Sequence, residues 1–137
     1  MSIYDEIEAE KLRLQQEQRL KNQKSKIAFK ESEKFIPEIV NQIKNRAIYR
    51  AATNSGPIYR RGLLGGVKYI KITYKLSQDD DGEDLKMYVA LHKVKNNINI
   101  YKKITAAINA AGFCNTNVSY YEPRHYFYIS TEFNLPK

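Results

Sequence analysis

The segment Val-Lys-Tyr-Ile-Lys-Ile-Thr-Tyr-Lys-Leu, residues 67–76, alternates between apolar and polar side chains. One set of alternate positions comprises Ile70, Ile72, Tyr74 and Leu76. The other set comprises Tyr69, Lys71, Thr73 and Lys75. Successive side chains of a strand point to opposite faces of the sheet, so we predict a strand that is buried on its first set and solvent-exposed on its second. The exposed face is basic and carries tyrosine.

Two hairpins are predicted around this strand and at the end of the chain. A glycine-rich loop over residues 56–66 precedes the strand, and a polar turn over residues 77–84 follows it. A second strand is predicted over residues 85–91, where Leu85, Met87, Val89 and Leu91 fall on one face. Strands over residues 113–121 and 126–133 are predicted to form the final hairpin.

Three helices are predicted. Residues 2–31 form a long polar helix that begins with Ser2 and Asp5 in the spacing of a capping box. The second helix begins at Pro37, and its apolar stripe contains Ile36, Ile39, Val40, Ile43, Ala47 and Ala51. The third is capped by Asn96 or Asn97 and ends at Gly112. Its stripe contains Ile100, Ile104, Ala107, Ile108 and Ala111.

The predicted order is therefore a long polar helix followed by helix-strand-strand twice. This order predicts an α+β fold, in which a four-stranded antiparallel sheet carries both helices on one face. Residues 1–34 are predicted to be a polar helical arm and residues 35–137 an α+β globular domain. The order is similar to that of LAGLIDADG endonucleases, although residues 60–66 contain no metal-binding carboxylate. The tyrosine-rich final hairpin resembles phage tail-completion proteins, and no functional residue is carried over from either family.

The positive charge of the chain is concentrated in one stretch. The 137 residues contain 23 Lys and Arg against 15 Asp and Glu, which gives a net charge of +8. Residues 1–38 and 76–137 are each balanced, whereas residues 39–75 contain eight cations and no acid. Such a stretch favours a polyanionic partner, unless the acidic turn at residues 79–84 folds over it and neutralises it.

The leading hypothesis is a module without enzymatic activity that binds nucleic acid or a nucleoprotein through this stretch. Arginines between glycines can approach phosphates closely, and tyrosines on an open sheet face stack on bases. The predicted binding residues are Lys44, Arg46, Arg50, Tyr59, Arg60, Arg61, Lys68, Tyr69, Lys71 and Lys75. If about six phosphates are neutralised, log K falls with log salt with a slope of roughly −4 to −5.

The alternative is a protein-binding assembly or inhibitor factor, encoded by a phage or mobile element, such as a virion or tail component. It would dock on a protein, or on a second copy, through the N-terminal helix and the tyrosine-rich hairpin, since tyrosine and arginine are enriched at interface hot spots. The predicted interface residues are Ile3, Ile7, Leu14, Tyr121, Arg124, Tyr126 and Tyr128.

The sequence offers little for catalysis. Cys114 and His125 could form a nucleophile and base, but a small buried cysteine and a histidine at a hairpin tip fit the pattern better. No zinc-ligand spacing or phosphate-binding loop is present, so no metal or cofactor is predicted. The acidic N-terminus, the single cysteine and the short apolar runs predict an intracellular protein, cytoplasmic or carried in a virion, that does not engage a membrane.

Overall fold

The structure, a computed structural model, describes residues 2–136 of the chain. The helices are α1 (Ile3–Glu33), α2 (Ile36–Thr53), α3 (Gly82–His92) and α4 (Ile98–Ala110). The strands are β1 (Tyr59–Arg61), β2 (Val67–Ser77), β3 (Cys114–Tyr121) and β4 (Tyr126–Asn134). Short 3₁₀ turns lie at Leu63–Gly65 and Glu122–Arg124.

The strands form one antiparallel sheet in the order β1-β2-β4-β3. The longest pairing joins β2 to β4 and runs from Tyr69 opposite Asn134 to Ser77 opposite Tyr126. The predicted α+β class is confirmed, as are the long N-terminal helix and the four antiparallel strands. The predicted hairpin at the end of the chain corresponds to β3 and β4.

The predicted strand over residues 85–91 is wrong, because this segment lies in helix α3. Its alternating apolar residues do not share one environment: Met87 and Leu91 are buried one turn apart, whereas Val89 is 46% exposed. The two acids at positions 83 and 84 lie in the first turn, where they interact favourably with the helix dipole. The hairpin partner of β2 is therefore the three-residue strand β1, which lies within the segment over residues 56–66 that was predicted to be entirely a loop.

Helices α2, α3 and α4 cover one face of the sheet. Their apolar stripes meet the buried alternate positions of β2 and β4 in one core, whose fully buried side chains include Ile39, Ile43, Ile70, Ile72, Leu76, Met87, Leu91, Ile100, Ile104, Ile108 and Ile129. Replacing such a residue by alanine typically costs about 2–5 kcal/mol.

Helix α1 contacts the globular body only near its C-terminal end. Ser32 is fully buried, and Ala28 and Phe29 pack against the core. Residues 3–27 are exposed throughout. The predicted capping box is present, since the Asp5 amide donates to Ser2 Oγ (3.3 Å) and the Ser2 amide donates to Asp5 Oδ2 (3.4 Å). None of the helices within residues 2–136 combines the length and apolar character needed to cross a bilayer.

Candidate nucleic-acid interface

Within residues 2–136, no helix packs on the sheet face opposite α2, α3 and α4, whose side chains are exposed or half-buried. We call this surface the open face. Its side chains come from alternate positions of all four strands, as the pleat requires. They include Tyr59, Arg61, Tyr69, Lys71, Thr73, Lys75, Asn117, Ser119, Tyr121, Tyr126, Tyr128, Ser130 and Glu132. The alternate positions of β2 that were predicted to be solvent-exposed, Tyr69, Lys71, Thr73 and Lys75, therefore lie on the open face.

One aromatic cluster of the open face lies at the β1 end. The rings of Tyr59 and Tyr69, which face each other across the β1–β2 pair, are stacked with their centroids 5.5 Å apart. The Arg61 guanidinium lies 4.3 Å from the Tyr69 centroid, and Lys71 Nζ lies 4.5 Å from the Tyr59 centroid. Cation–π contacts of this kind hold the cations over the rings. Positive charge and aromatic surface are thus combined in one site.

A second aromatic cluster lies towards the other end of β2. Lys75 Nζ is 4.0 Å from the centroid of the Tyr126 ring. The Tyr126 centroid is 5.3 Å from that of Tyr121 and 6.5 Å from that of Tyr128. Tyr121 is 46% exposed and Tyr128 is 36% exposed. Part of each of these two rings is therefore accessible to a ligand.

Glu132 is the acid of the open face, and sequence reasoning did not include it in the site. Its Oε1 accepts hydrogen bonds from Arg61 Nη2 (2.5 Å) and Asn115 Nδ2 (2.6 Å). The Arg61 guanidinium, followed by the Asn115 amide, holds the pKa of the Glu132 carboxyl below its usual value. Glu132 also lies directly opposite Lys71 in the β2–β4 register. With three cations and this one acid, the open face has a formal charge of 3 − 1 = +2.

Two of the predicted binding residues are directed at the backbone of β2 and not at the open face. Strand β1 pairs only with residues 67–69, so that the rest of that edge of β2 has no strand partner among the described residues 2–136. Arg46 Nη1 donates to the carbonyl of Thr73 (2.5 Å), and Arg50 donates to the carbonyl of Lys71. Arg50 also donates to the carbonyls of Ser55 and Pro57, at 3.3 Å each. These contacts anchor α2 to the strand edge.

The remaining predicted cations lie elsewhere. Lys44 is exposed on α2, beside an apolar groove of about 540 Å³ that includes Ile48 and Phe133. Arg60 and Lys68 lie opposite each other in the β1–β2 register, and their side chains alternate with those of the open face. The basic stretch is therefore divided among the open face, the strand edge, the exposed surface of α2 and the opposite side of the hairpin.

The acidic turn is not paired directly with the basic stretch in the part of the chain that the structure describes. Within residues 2–136, no acid at positions 79–84 forms an ion pair with any cation of residues 39–75. Glu83 pairs with Lys86 on its own helix, and Asp80 accepts a hydrogen bond from the Ser77 amide. The acid that pairs with the basic stretch is Glu132 of β4.

The residues predicted for a protein interface fall in two places. Ile3, Ile7 and Leu14 of α1 are 71%, 45% and 51% exposed. The predicted tyrosines of the final hairpin belong to the open face, so that the nucleic-acid and protein hypotheses share this surface. Arg124 is exposed in the turn that joins β3 to β4.

The candidate catalytic pair is not assembled as a site. Cys114 is the first residue of the eight-residue strand β3 and His125 follows the turn at its far end, so the two residues lie near opposite ends of this strand. Cys114 Sγ contacts the carbonyl of Glu132 (3.7 Å), and His125 Nδ1 lies 3.4 Å from Tyr120 Oη. Across residues 2–136, no cluster of three His, Cys, Asp or Glu side chains is arranged to hold a metal ion.

Comparisons of this chain with protein families, curated proteins and solved structures find no significant similarity.

Proposed function

We propose that the protein binds single-stranded nucleic acid on its open face. The observation that carries the proposal is the combination of five tyrosines with Arg61, Lys71 and Lys75 on a sheet surface that no helix covers. Aromatic side chains on such a surface stack on bases, and neighbouring cations contact the phosphates. The proposed function requires only binding and no catalytic group.

A single strand fits this surface better than a duplex does. The ring faces of Tyr121 and Tyr128 can stack only on bases that are not already stacked within a helix. The two aromatic clusters lie along β2, where Tyr69 and Lys75 are six residues apart, or roughly 20 Å at about 3.3 Å per residue. An extended strand of several nucleotides can therefore contact both clusters at once.

The test is the affinity for a fluorescent single-stranded oligonucleotide, measured by anisotropy. Replacing Tyr121 and Tyr128 with alanine removes two partly exposed rings, and we expect an affinity loss of about thirtyfold or more, since each stacked base contributes about 1–3 kcal/mol. The matched control is Tyr49→Ala, which removes a 66% exposed tyrosine from α2 and should leave the affinity unchanged. Equal losses in both proteins would argue against the open face as the binding site.

A second proposal is a protein-binding assembly factor that docks through α1. It is supported by the apolar side chains that residues 3–27 expose, namely Ile3, Ile7, Leu12, Leu14, Leu20 and Ile27. Removing these residues would abolish binding to such a partner, while the proposed oligonucleotide binding on the open face would persist. This truncation therefore distinguishes the two proposals experimentally.

A further inference from the structure

The loop that joins β1 to β2 presents two leucines to solvent. Leu63 is 94% exposed and Leu64 is 105% exposed, and they lie next to each other at the tip of the hairpin. Leu64 adopts a φ of 63°, in the left-handed region that leucine rarely occupies. A pair of adjacent apolar side chains exposed to this degree favours a function in which a partner covers them.

Cations flank this tip on both faces of the hairpin. Arg61 belongs to the open face, whereas Arg60 and Lys68 project from the opposite face. Arg60 and Lys68 are also directly opposite each other in the register, and like charges in that position destabilise a strand pair. No acid within residues 2–136 forms an ion pair with either of them. A phosphate chain passing over this side would relieve the repulsion.

We infer that the hairpin recognises the junction between double-stranded and single-stranded nucleic acid. At such a junction two phosphate chains diverge from a terminal base pair, whose outer face is apolar. A two-stranded ribbon with an apolar tip and cations on both faces matches this geometry. Leu63 and Leu64 stack on the terminal base pair, as apolar wedge residues do in other nucleic-acid complexes.

The two diverging strands then follow different sides of the hairpin. One passes Arg61 and continues over Tyr69 and Tyr59 onto the open face. The other passes Arg60 and Lys68. This inference rests on the proposed function and names its substrate, because the tip is continuous with the open face through β1 and β2.

The experiment compares a forked DNA, its single strands and a blunt duplex of the same sequence. The fork carries 2-aminopurine at the terminal base pair, so that fluorescence reports on stacking at this position. We expect the protein to bind the fork about tenfold more tightly than the single strand, because the fork adds burial of two leucines and a second phosphate contact. The fluorescence of the terminal pair should change when the protein binds.

The variant Leu63→Ser/Leu64→Asn keeps both positions exposed and places asparagine where a left-handed conformation is tolerated. We expect its affinity for the fork to fall to that for the single strand, while its affinity for the single strand stays within about twofold of the original, since the open face is unchanged. The matched control Ile3→Ser/Leu12→Asn alters two exposed apolar residues of α1 and should keep the preference for the fork.

The outcomes separate this inference from the proposed function. Equal affinity for the fork and the single strand would overturn the junction site but leave single-strand binding intact. Failure to bind either DNA would overturn both. Binding to phosphatidylserine vesicles that is lost in the leucine variant, without any preference for the fork, would assign the tip to a lipid surface and overturn the inference.

Discussion

Replacing Lys71 and Lys75 together with alanine should change how strongly salt weakens oligonucleotide binding. Both side chains lie on the open face, over the rings of Tyr59 and Tyr126, and neither forms an ion pair within residues 2–136. Arg61 remains in this variant, where it is paired with Glu132. The substitution therefore removes the two cations of the open face that are most available to phosphates.

The expected change follows from the number of phosphates neutralised. Each contact with a single strand contributes about −0.7 to the slope of log K against log salt, so two lysines and a partly neutralised arginine give a slope between about −1.4 and −2.1. Removing both lysines makes the slope less negative by about 1.4, whatever Arg61 contributes. At the steeper limit of about −2.1, a rise from about 50 to about 200 mM salt weakens oligonucleotide binding about 18-fold for the wild type and about 2.6-fold for the variant.

The assay is anisotropy titration of one oligonucleotide at four or more salt concentrations. The matched control is Lys93→Ala/Lys102→Ala, which removes two exposed lysines from the helical side of the protein and should leave the slope unchanged. If the two double variants have the same slope, phosphates are not contacted by Lys71 and Lys75. A wild-type slope of −4 to −5 would instead require about six contacts and cations beyond the open face.

Three further predictions concern the elements that support this surface. Arg50→Met should lower the free energy of unfolding in urea by about 1–3 kcal/mol, because it removes a charged donor from the carbonyls of Lys71, Ser55 and Pro57. Glu132→Gln should destabilise the protein at neutral pH, because the interactions that lower the pKa of Glu132 stabilise the folded protein only while this carboxyl is ionised. The difference in stability between the variant and the wild type should close as the pH falls below about 4.3, the ordinary pKa of a glutamate. Deleting residues 2–27 should leave the unfolding transition and oligonucleotide binding nearly unchanged, because these residues are exposed.

Each of these predictions has a control and a contrary outcome. Lys102→Met removes an exposed cation of α4 and should leave the stability unchanged, so an equal loss in both proteins would contradict the role of Arg50. Glu122→Gln alters an acid whose side chain is 64% exposed and paired only with Lys95, and a similar pH dependence there would contradict a specific effect of Glu132. A truncated protein that unfolds at much lower temperature would show that α1 stabilises the body beyond its last turns.

Local sequence patterns predicted most of the helices and strands, but they failed where tertiary packing determines the secondary structure of a segment. Four alternating apolar residues over 85–91 favoured a strand, yet the segment also contains Tyr88 and Ala90, which are buried in the helix. The better signal was the acidic pair after Gly82, which is typical of the first turn of a helix. Strand β1 has only three residues, too few for any period to be read from sequence.

The candidate site was predictable only in part, because sequence gives the face of a residue within a strand but not its neighbours in other strands. Alternation placed Lys71 and Lys75 on the exposed side of β2, as the structure has them. The pairing of Arg61 with Glu132 spans 71 residues and depends on β1 and β4 flanking β2. The contacts of Arg46 with the strand backbone likewise depend on how α2 packs, which no local pattern encodes.

The two arginines on the free edge of β2 also affect how the protein resists self-assembly. An unpaired strand edge can recruit a strand from another molecule, which is the first step of edge-to-edge aggregation and amyloid growth. Arg46 and Arg50 occupy the carbonyls of Thr73 and Lys71, so an incoming strand would have to displace two charged donors. Helix α2 therefore protects this free edge of β2 against the addition of another strand.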